Sequence, residues 1–357
     1  MTNDDKYVAM DVHKASVVIG VRNGGGKMIG RAVVETKAQT LRDYVRGLSG
    51  TVHLTFEEGT QAAWLYDLLK PLVAECIVCD PRRNKLLESG NKSDDVDVEK
   101  LSELLYLGRL RAVYHGSEGT RALKELAQNY EALVKDNTRV KNRLKAIFRG
   151  RGISYQGSEI YEYEQREQWL AQLSERGVRE RASQLYEQLA QLEQWVGSAR
   201  LQMLRESRKQ KAKKILEQIP TLGEISVAQL IATVDTPFRF RSKRQFWTYC
   251  GLAVVRHTSA DYQFAEGELR RRAKPGPTRG LNRNYNRRLK RIFKSAALTG
   301  SVHEPFKPYY QRLLERGLNP ELALVTLARK IAAITLTLWK KGASFDREKL
   351  LKPEITA

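Results

Sequence analysis

The chain is poor in cysteine. Three among 357 residues, Cys76, Cys79 and Cys250, are too few to staple a secreted domain, and a cytoplasmic protein is expected. Cys76 and Cys79 form a CxxC, but the surrounding AECIVCDP reads as a strand, in which residues three apart face opposite sides. Cys250 alone cannot complete a zinc site of the usual kind, so both are expected as buried strand residues. Long apolar runs are lacking too. The most apolar stretch, Leu322 to Trp339, is interrupted by Arg329 and Lys330 and reads as a buried helix rather than a membrane span. The opening MTNDDKYVAMD has neither a basic start nor an apolar run, so no signal peptide is expected. Acids are in deficit, 41 against 62 Lys and Arg, which leaves a formal charge of +21. An excess of this size favours a polyanionic partner, nucleic acid ahead of an anionic membrane. With 41% hydrophobic and 29% charged residues the chain is expected to fold, and its length suits two or three domains.

The first part alternates strand and helix signals. KYVAMDV, SVVIGV and MIGRAVVE are close apolar runs, the last two joined through the turn NGGGK (Asn23 to Lys27), and together they predict an antiparallel meander. Thr36 is placed to cap a helix through Leu48, VHLTFE reads as a strand, AAWLYDLLKPL as a helix and ECIVCD as a last strand. A helix then starts at Ser93. The order βββαβαβα predicts an α/β domain over 1–116, a mixed sheet covered by helices, which is the order of the RNase H-like fold.

A helical arm is expected over 117–212. One segment runs from about Glu118 to Gly150, with Leu123, Leu126, Leu133, Val140 and Leu144 at near-heptad spacing; a second runs from about Glu159 to Leu216. Two amphipathic helices joined by a glycine-bearing turn read as an antiparallel hairpin or coiled coil, either an intradomain spacer or a dimerising arm. The remainder, 213–357, reads as mainly α. Within it ILEQIPTLGEISVAQLIA is helix, turn and helix, which fits either a phosphate contact by the turn amides or plain helix packing.

Between Arg270 and Lys294 there are eleven Lys and Arg and no acid. Such a run repels itself unless something anionic sits on it. Arg270, Arg271, Arg272, Lys274, Arg279, Arg283, Arg287, Arg288, Lys290 and Arg291 are therefore expected on a phosphate backbone.

Against this basic background the stretch GNKSDDVDVEKLSELL, Gly90 to Leu105, crowds five acids together. At about 100° per residue, Asp94 and Asp97 lie about 60° apart and share a stripe with Val98, Leu101 and Leu105. That stripe packs on the sheet, so these two aspartates face inward at its edge, while Asp95, Glu99 and Glu103 face water. Asp11 closes the first strand and Glu57 with Glu58 the fourth, the neighbour of the first in this order, with Glu57 on the face of His53 and Thr55. Four converging carboxylates repel unless cations hold them, and hard oxygen ligands suit Mg²⁺ or Mn²⁺. Two such ions about 4 Å apart would stabilise the attacking and leaving oxygens of a phosphodiester. The plainer reading makes Asp94 a helix cap and Asp97 a partner of the helix dipole; residue chemistry leaves both open.

The motifs DVHK at Asp11, FEEGT at Glu57, NKSDDVDVEKL, IPTLGEISVAQLIA and FRSKRQFWTYCGLAVVRHTSADY resemble those of the insertion-sequence family 110 transposases, which are relatives of the Piv-type invertases and are understood as bridge-RNA-guided recombinases. The resemblance implies a RuvC-like domain with a DEDD tetrad, a coiled-coil insertion and a C-terminal domain with a nucleophilic serine. Asp11, Glu57, Asp94 and Asp97 match the tetrad, with Glu58 the alternative glutamate. Ser259 matches the serine, with Thr258 a second candidate. It further implies cutting and rejoining of DNA through a phosphoserine link, a guide RNA, and a homo-oligomer, dimer or tetramer. A water-using nuclease and a catalytically idle scaffold are the competing readings.

Overall fold

A computed structural model describes residues 4–80, 93–116, 118–256, 262–265, 268–271 and 278–348. They fall into two compact units, Met1–His115 and Gly116–Ala357.

The first unit is a five-stranded sheet in the order β3-β2-β1-β4-β5, built from β1 (Asp5–Val12), β2 (Ser16–Asn23), β3 (Met28–Glu35), β4 (Thr51–Glu57) and β5 (Glu75–Cys79). The first three strands form the expected antiparallel meander, and β4 and β5 join in parallel. Parallel neighbours need crossovers; these are α1 (Ala38–Arg46), between β3 and β4, and α2 (Ala62–Leu69), between β4 and β5. One sheet face packs Val8, Met10, Ile19, Leu54 and Phe56 against Leu41, Val45, Leu65 and Leu69 of these helices. On the other face lie Ala9, Val18 and Cys79, covered by Val98 and Leu101 of α3 (Asp94–Tyr106). The close seating of α3 depends on Gly20: a Cβ there would stand 3.3 Å from Val98 Cγ2 and 3.2 Å from Met28 Cε.

The expected cap of α1 is not made by Thr36. Lys37 occupies the N-cap without a side-chain bond, and the Thr36 hydroxyl donates instead to the His13 carbonyl at 3.0 Å. A single nearby carbonyl in the first hairpin outcompeted the helix end, because the β3 exit lies beside that hairpin. Cys76 packs with the first sheet face and Cys79 with the second, as the strand parity requires. Burial pushes the Cys76 thiol up to about 12 and the Cys250 thiol well above its usual value. Alkylation of Cys76 at pH 8 is therefore expected to run roughly a thousandfold slower in the native protein than in urea, and that of Cys250 to be slowed as well, read by mass spectrometry of a timed maleimide quench.

The second unit opens with α4 (Glu118–Arg149), followed by α5 (Arg166–Ala171) and α6 (Arg176–Ser207). Leu144, Phe148 and Ile147 pack with Trp169, Leu170, Leu185 and Leu189, Lys141 pairs with Glu193 at 3.0 Å, and Leu123 meets Met203 and Leu204. The pairings run in opposite directions, so α4 and α6 are an antiparallel hairpin. The second helical segment is not continuous from Glu159 to Leu216, as its apolar spacing suggests. It breaks at 172–175, where the freed Leu173 carbonyl accepts two bonds from the Arg179 guanidinium, and again at 208–211 before α7 (Ala212–Leu216).

The C-terminal core joins the base of α4 and α6 to α8 (Glu224–Val234), α9 (Lys243–Tyr249), α10 (Arg287–Val302), α11 (Lys307–Glu315) and α12 (Pro320–Lys341). α12 is long and apolar enough to cross a membrane, but Ala323, Leu327, Ala328, Ile331, Ala332, Thr335 and Leu336 are buried inside the fold. The residues of α8 from Val227 to Ala232 are buried as well. Its N-terminal turn starts at Gly223 without a side-chain cap and carries Glu224, held by Arg200 at 2.6 Å. Sequence reading missed four short strands, β6 (Val254–Arg256), β7 (Tyr262–Ala265), β8 (Glu268–Arg271) and β9 (Thr278–Leu281), paired β6 with β9 and β7 with β8.

Candidate metal centre

Asp11 is the seventh residue of β1, beside Val12 at the strand's end, and pairs with Val18 of β2. It shares the sheet face of Ala9, so its carboxyl rises toward α3. α3 is started by Ser93, whose hydroxyl accepts from the Val96 amide at 3.3 Å. Asp94 is therefore not the cap. With Val98, Leu101 and Leu105 anchored on the sheet, the first turn of α3 carries Asp94 and Asp97 to the edge where β1 ends.

His13 stands between the two elements. Its Nε2 lies 3.3 Å from Asp11 Oδ2 and 3.2 Å from Asp94 Oδ2. The Asp11 carboxyl is held above the ordinary aspartate range, first by burial and further by the charges of Asp94 and Asp97; His13 and the Val12 amide oppose the rise. A carboxyl disfavoured in its charged form by neighbouring carboxylates gains from any cation placed among them. The donor atoms of Asp11, His13 and Asp94 lie within 4.8 Å of one another, a separation one ion can span.

Glu57 is the last residue of β4. The preceding pair, Met10 with Phe56, sets the parallel register, so Asp11 and Glu57 are the next residues along adjacent strands. Glu57 also lines, with His13, Lys14 and Thr60, a cleft of ≈ 360 Å³ at the strand ends. Glu58 is turned elsewhere. Its carboxylate meets His115 Nε2 at 2.9 Å, and that imidazole stacks on Tyr66 at 4.8 Å. Glu99 is not simply solvated, as helical phase suggested, but pairs with Arg31 of β3 at 2.6 Å. His13 was missed as a site residue; it lies one residue beyond β1, in the turn to β2, where strand parity does not fix its direction.

Residues 8–151 match a family model for DEDD transposases of the IS110 type, and residues 213–311 match the model of the IS116/IS110/IS902 transposase family. The chain belongs to the IS110 transposase family. No curated protein matches it. A transposase acts on DNA, and the basic excess has its natural partner there.

In this transposase the basic run divides into two environments. Arg270 and Arg271 belong to β8 and Arg279 to β9, and Arg270 pairs with Glu268 at 3.3 Å. Arg283 and Arg287 are exposed, and Lys290 lies over the Tyr285 ring at 4.1 Å. The expectation that the run has no acidic partner fails at Arg270 and, through a distant helix, at Arg288 and Arg291. Glu131 of α4, 157 positions from Arg288, takes Arg288 at 2.6 Å and Arg291 at 3.3 Å. Arg288 is nearly buried in this contact and also reaches the Thr233 hydroxyl. Arg272, Lys274, Thr258 and Ser259 lie outside the described residues.

The start of α10 is set by its neighbours. Asn286 caps the helix by accepting from the Leu289 amide, and its own amide donates to the Tyr249 carbonyl. Gly251 turns the chain at φ +69°, and a Cβ there would stand 2.5 Å from the Tyr285 ring. Only glycine fits both the backbone angle and the space.

Proposed function

We propose that this transposase cuts and rejoins DNA through a covalent phosphoserine link at Ser259. Its carboxylates Asp11, Glu57, Asp94 and Asp97 would hold divalent cations, Mg²⁺ or Mn²⁺, in a domain of RNase H-like, RuvC-like type. The observation that carries this reading is the gathering of Asp11, Asp94 and His13 at one sheet edge in a chain with a +21 charge. Phosphate binding calls for Lys and Arg; converging acids serve a cation and the chemistry it assists. A bound divalent ion would supply charge stabilisation for a phosphodiester under attack.

The protein's own steps follow from its residue chemistry. The Ser259 oxygen would form a bond to phosphorus as the bond from phosphorus to the leaving sugar oxygen breaks, and the serine proton passes to solvent or to that oxygen. The phosphoserine ester conserves the bond energy, so the reverse attack by a sugar hydroxyl restores serine and rejoins DNA. The exposed cations Arg283 and Arg287 would hold the backbone. A guide RNA and a homo-oligomer belong to the same reading, which the family resemblance supports.

One experiment tests it. Purified protein is incubated with Mg²⁺, the element's DNA ends and the adjacent noncoding RNA, then resolved under denaturing conditions. A protein–DNA adduct lost in Ser259→Ala and kept in Thr258→Ala is expected. Cut ends without an adduct would replace the serine with water as nucleophile, and neither product would leave a nucleic-acid-binding scaffold.

A further inference from the structure

We infer that His13 is a direct metal ligand through Nε2, making the centre a mixed nitrogen–oxygen site that prefers Mn²⁺ to Mg²⁺. The inference rests on the carboxylate reading above and adds to it a residue outside the acidic tetrad.

Three observations carry it. First, Nε2 faces two carboxylates from different elements at nearly equal distances, 3.3 Å to Asp11 and 3.2 Å to Asp94. Adjacent ligands of one octahedral ion, each about 2.1 Å from the metal, stand about 3 Å apart. The spacing is thus that of neighbouring corners around a single cation. Second, the His13 backbone is fixed from both sides. Its amide donates to the Ser16 carbonyl at 2.9 Å, closing the β1–β2 turn, and its carbonyl accepts from the Thr36 hydroxyl at 3.0 Å. An imidazole on so tethered a peptide is held in register with Asp11, two residues earlier. Third, His13 and Glu57 line one cleft at the strand ends, so the residue that meets Asp11 and Asp94 also lies on the side where β4 ends.

An imidazole nitrogen is a softer donor than a carboxylate oxygen. Mg²⁺ binds nitrogen poorly and demands oxygen, whereas transition cations accept mixed sets. Of the two cations that the carboxylates suit, Mn²⁺ is the one that gains from His13. Ligation uses the Nε2 lone pair, which leaves Nδ1 to carry the ring proton.

The test uses the full chain and Mn²⁺ alone, without DNA. Electron spin-echo modulation of bound Mn²⁺ is expected to show a directly coordinated ¹⁴N in the wild type. That signal disappears in His13→Gln and persists in His53→Gln and His115→Gln. By calorimetry Mn²⁺ affinity falls roughly tenfold or more in His13→Gln, while Mg²⁺ affinity changes less than about threefold. His13→Glu, which replaces the nitrogen with an oxygen donor, keeps bound Mn²⁺ without the ¹⁴N signal, and this separates ligation from a folding defect. Bound Mn²⁺ with no ¹⁴N coupling in the wild type, or coupling that survives in His13→Gln, overturns the assignment while leaving the carboxylate site standing. Mn²⁺ affinity that is weak in the wild type and unchanged by Asp11→Asn overturns the carboxylate reading itself.

Discussion

Asp97→Asn is expected to lower DNA strand cleavage by on the order of 10³-fold, and Asp95→Asn to leave it within about twofold of the wild type, the range expected when a group holding the charge that stabilises a reacting phosphate is lost or spared. Both residues sit in the first turn of α3, two positions apart, and the two substitutions remove the same charge from the same helix end. Any effect through the helix dipole or the overall field is therefore nearly equal in the two variants. What differs is direction. Asp97 is half-buried and close enough to Asp11 to raise its proton affinity, whereas Asp95 is exposed. A gel assay of strand cleavage at fixed Mg²⁺, with both variants checked for an unchanged thermal midpoint, reads the difference. Equal losses would show that the acids act as a charge cluster and would remove the argument from helical phase.

That phase was legible in the sequence because it is local. An α-helix capped at Ser93 with Val98, Leu101 and Leu105 on one stripe has only one way to sit on an apolar sheet. The strand order was legible for a similar reason: two short hairpin-linked connections followed by two helical crossovers leave few topologies. Features that depend on tertiary approach were not legible. Thr36 has the residue type of a cap, but a carbonyl brought near by the β1–β2 turn claimed its hydroxyl. His13 stood in the DVHK motif without showing that Asp94, some eighty residues later, would arrive beside its ring. The glutamate at the end of β4 was ambiguous because Glu57 and Glu58 are chemically identical; that Glu58 meets His115 and Glu57 lines the cleft with His13 is a difference that exists only in three dimensions. The basic run concealed its partner most completely, since charge counted along the chain cannot register an acid contributed by a distant helix.

That partner gives the second large effect. Glu131→Ala is expected to destabilise the protein by about 3–5 kcal/mol, the cost of leaving a nearly buried cation without its counter-charge. The Arg288 and Glu131 side chains are 14% and 13% exposed, so solvent replaces little of the lost interaction. Arg291 and Lys135 also converge on Glu131, at 3.3 and 3.5 Å. Burial works to raise the Glu131 pKa, but the hydrogen bond and charge of Arg288, with Arg291 and Lys135, outweigh it and hold the carboxyl below its ordinary range. The pH dependence follows in sign. A depressed carboxyl contributes fully above its unfolded pKa of about 4.3, and the contribution is lost as pH falls through the lower folded value. Urea titrations of wild type and Glu131→Gln should thus be far apart at pH 7 and converge toward pH 3; a constant gap would mean that the Glu131 charge is not what the cations hold. The same geometry separates two adjacent arginines. Arg288→Ala should lower stability with the Glu131 variants, because it breaks the link between α4 and α10. Exposed Arg287→Ala should keep the thermal midpoint, weaken DNA binding and flatten its salt dependence by about one unit of slope. An unchanged salt slope in Arg287→Ala would remove it from the phosphate contacts, and a salt slope that changes only in Arg288→Ala would mean that Glu131 releases its arginine to DNA.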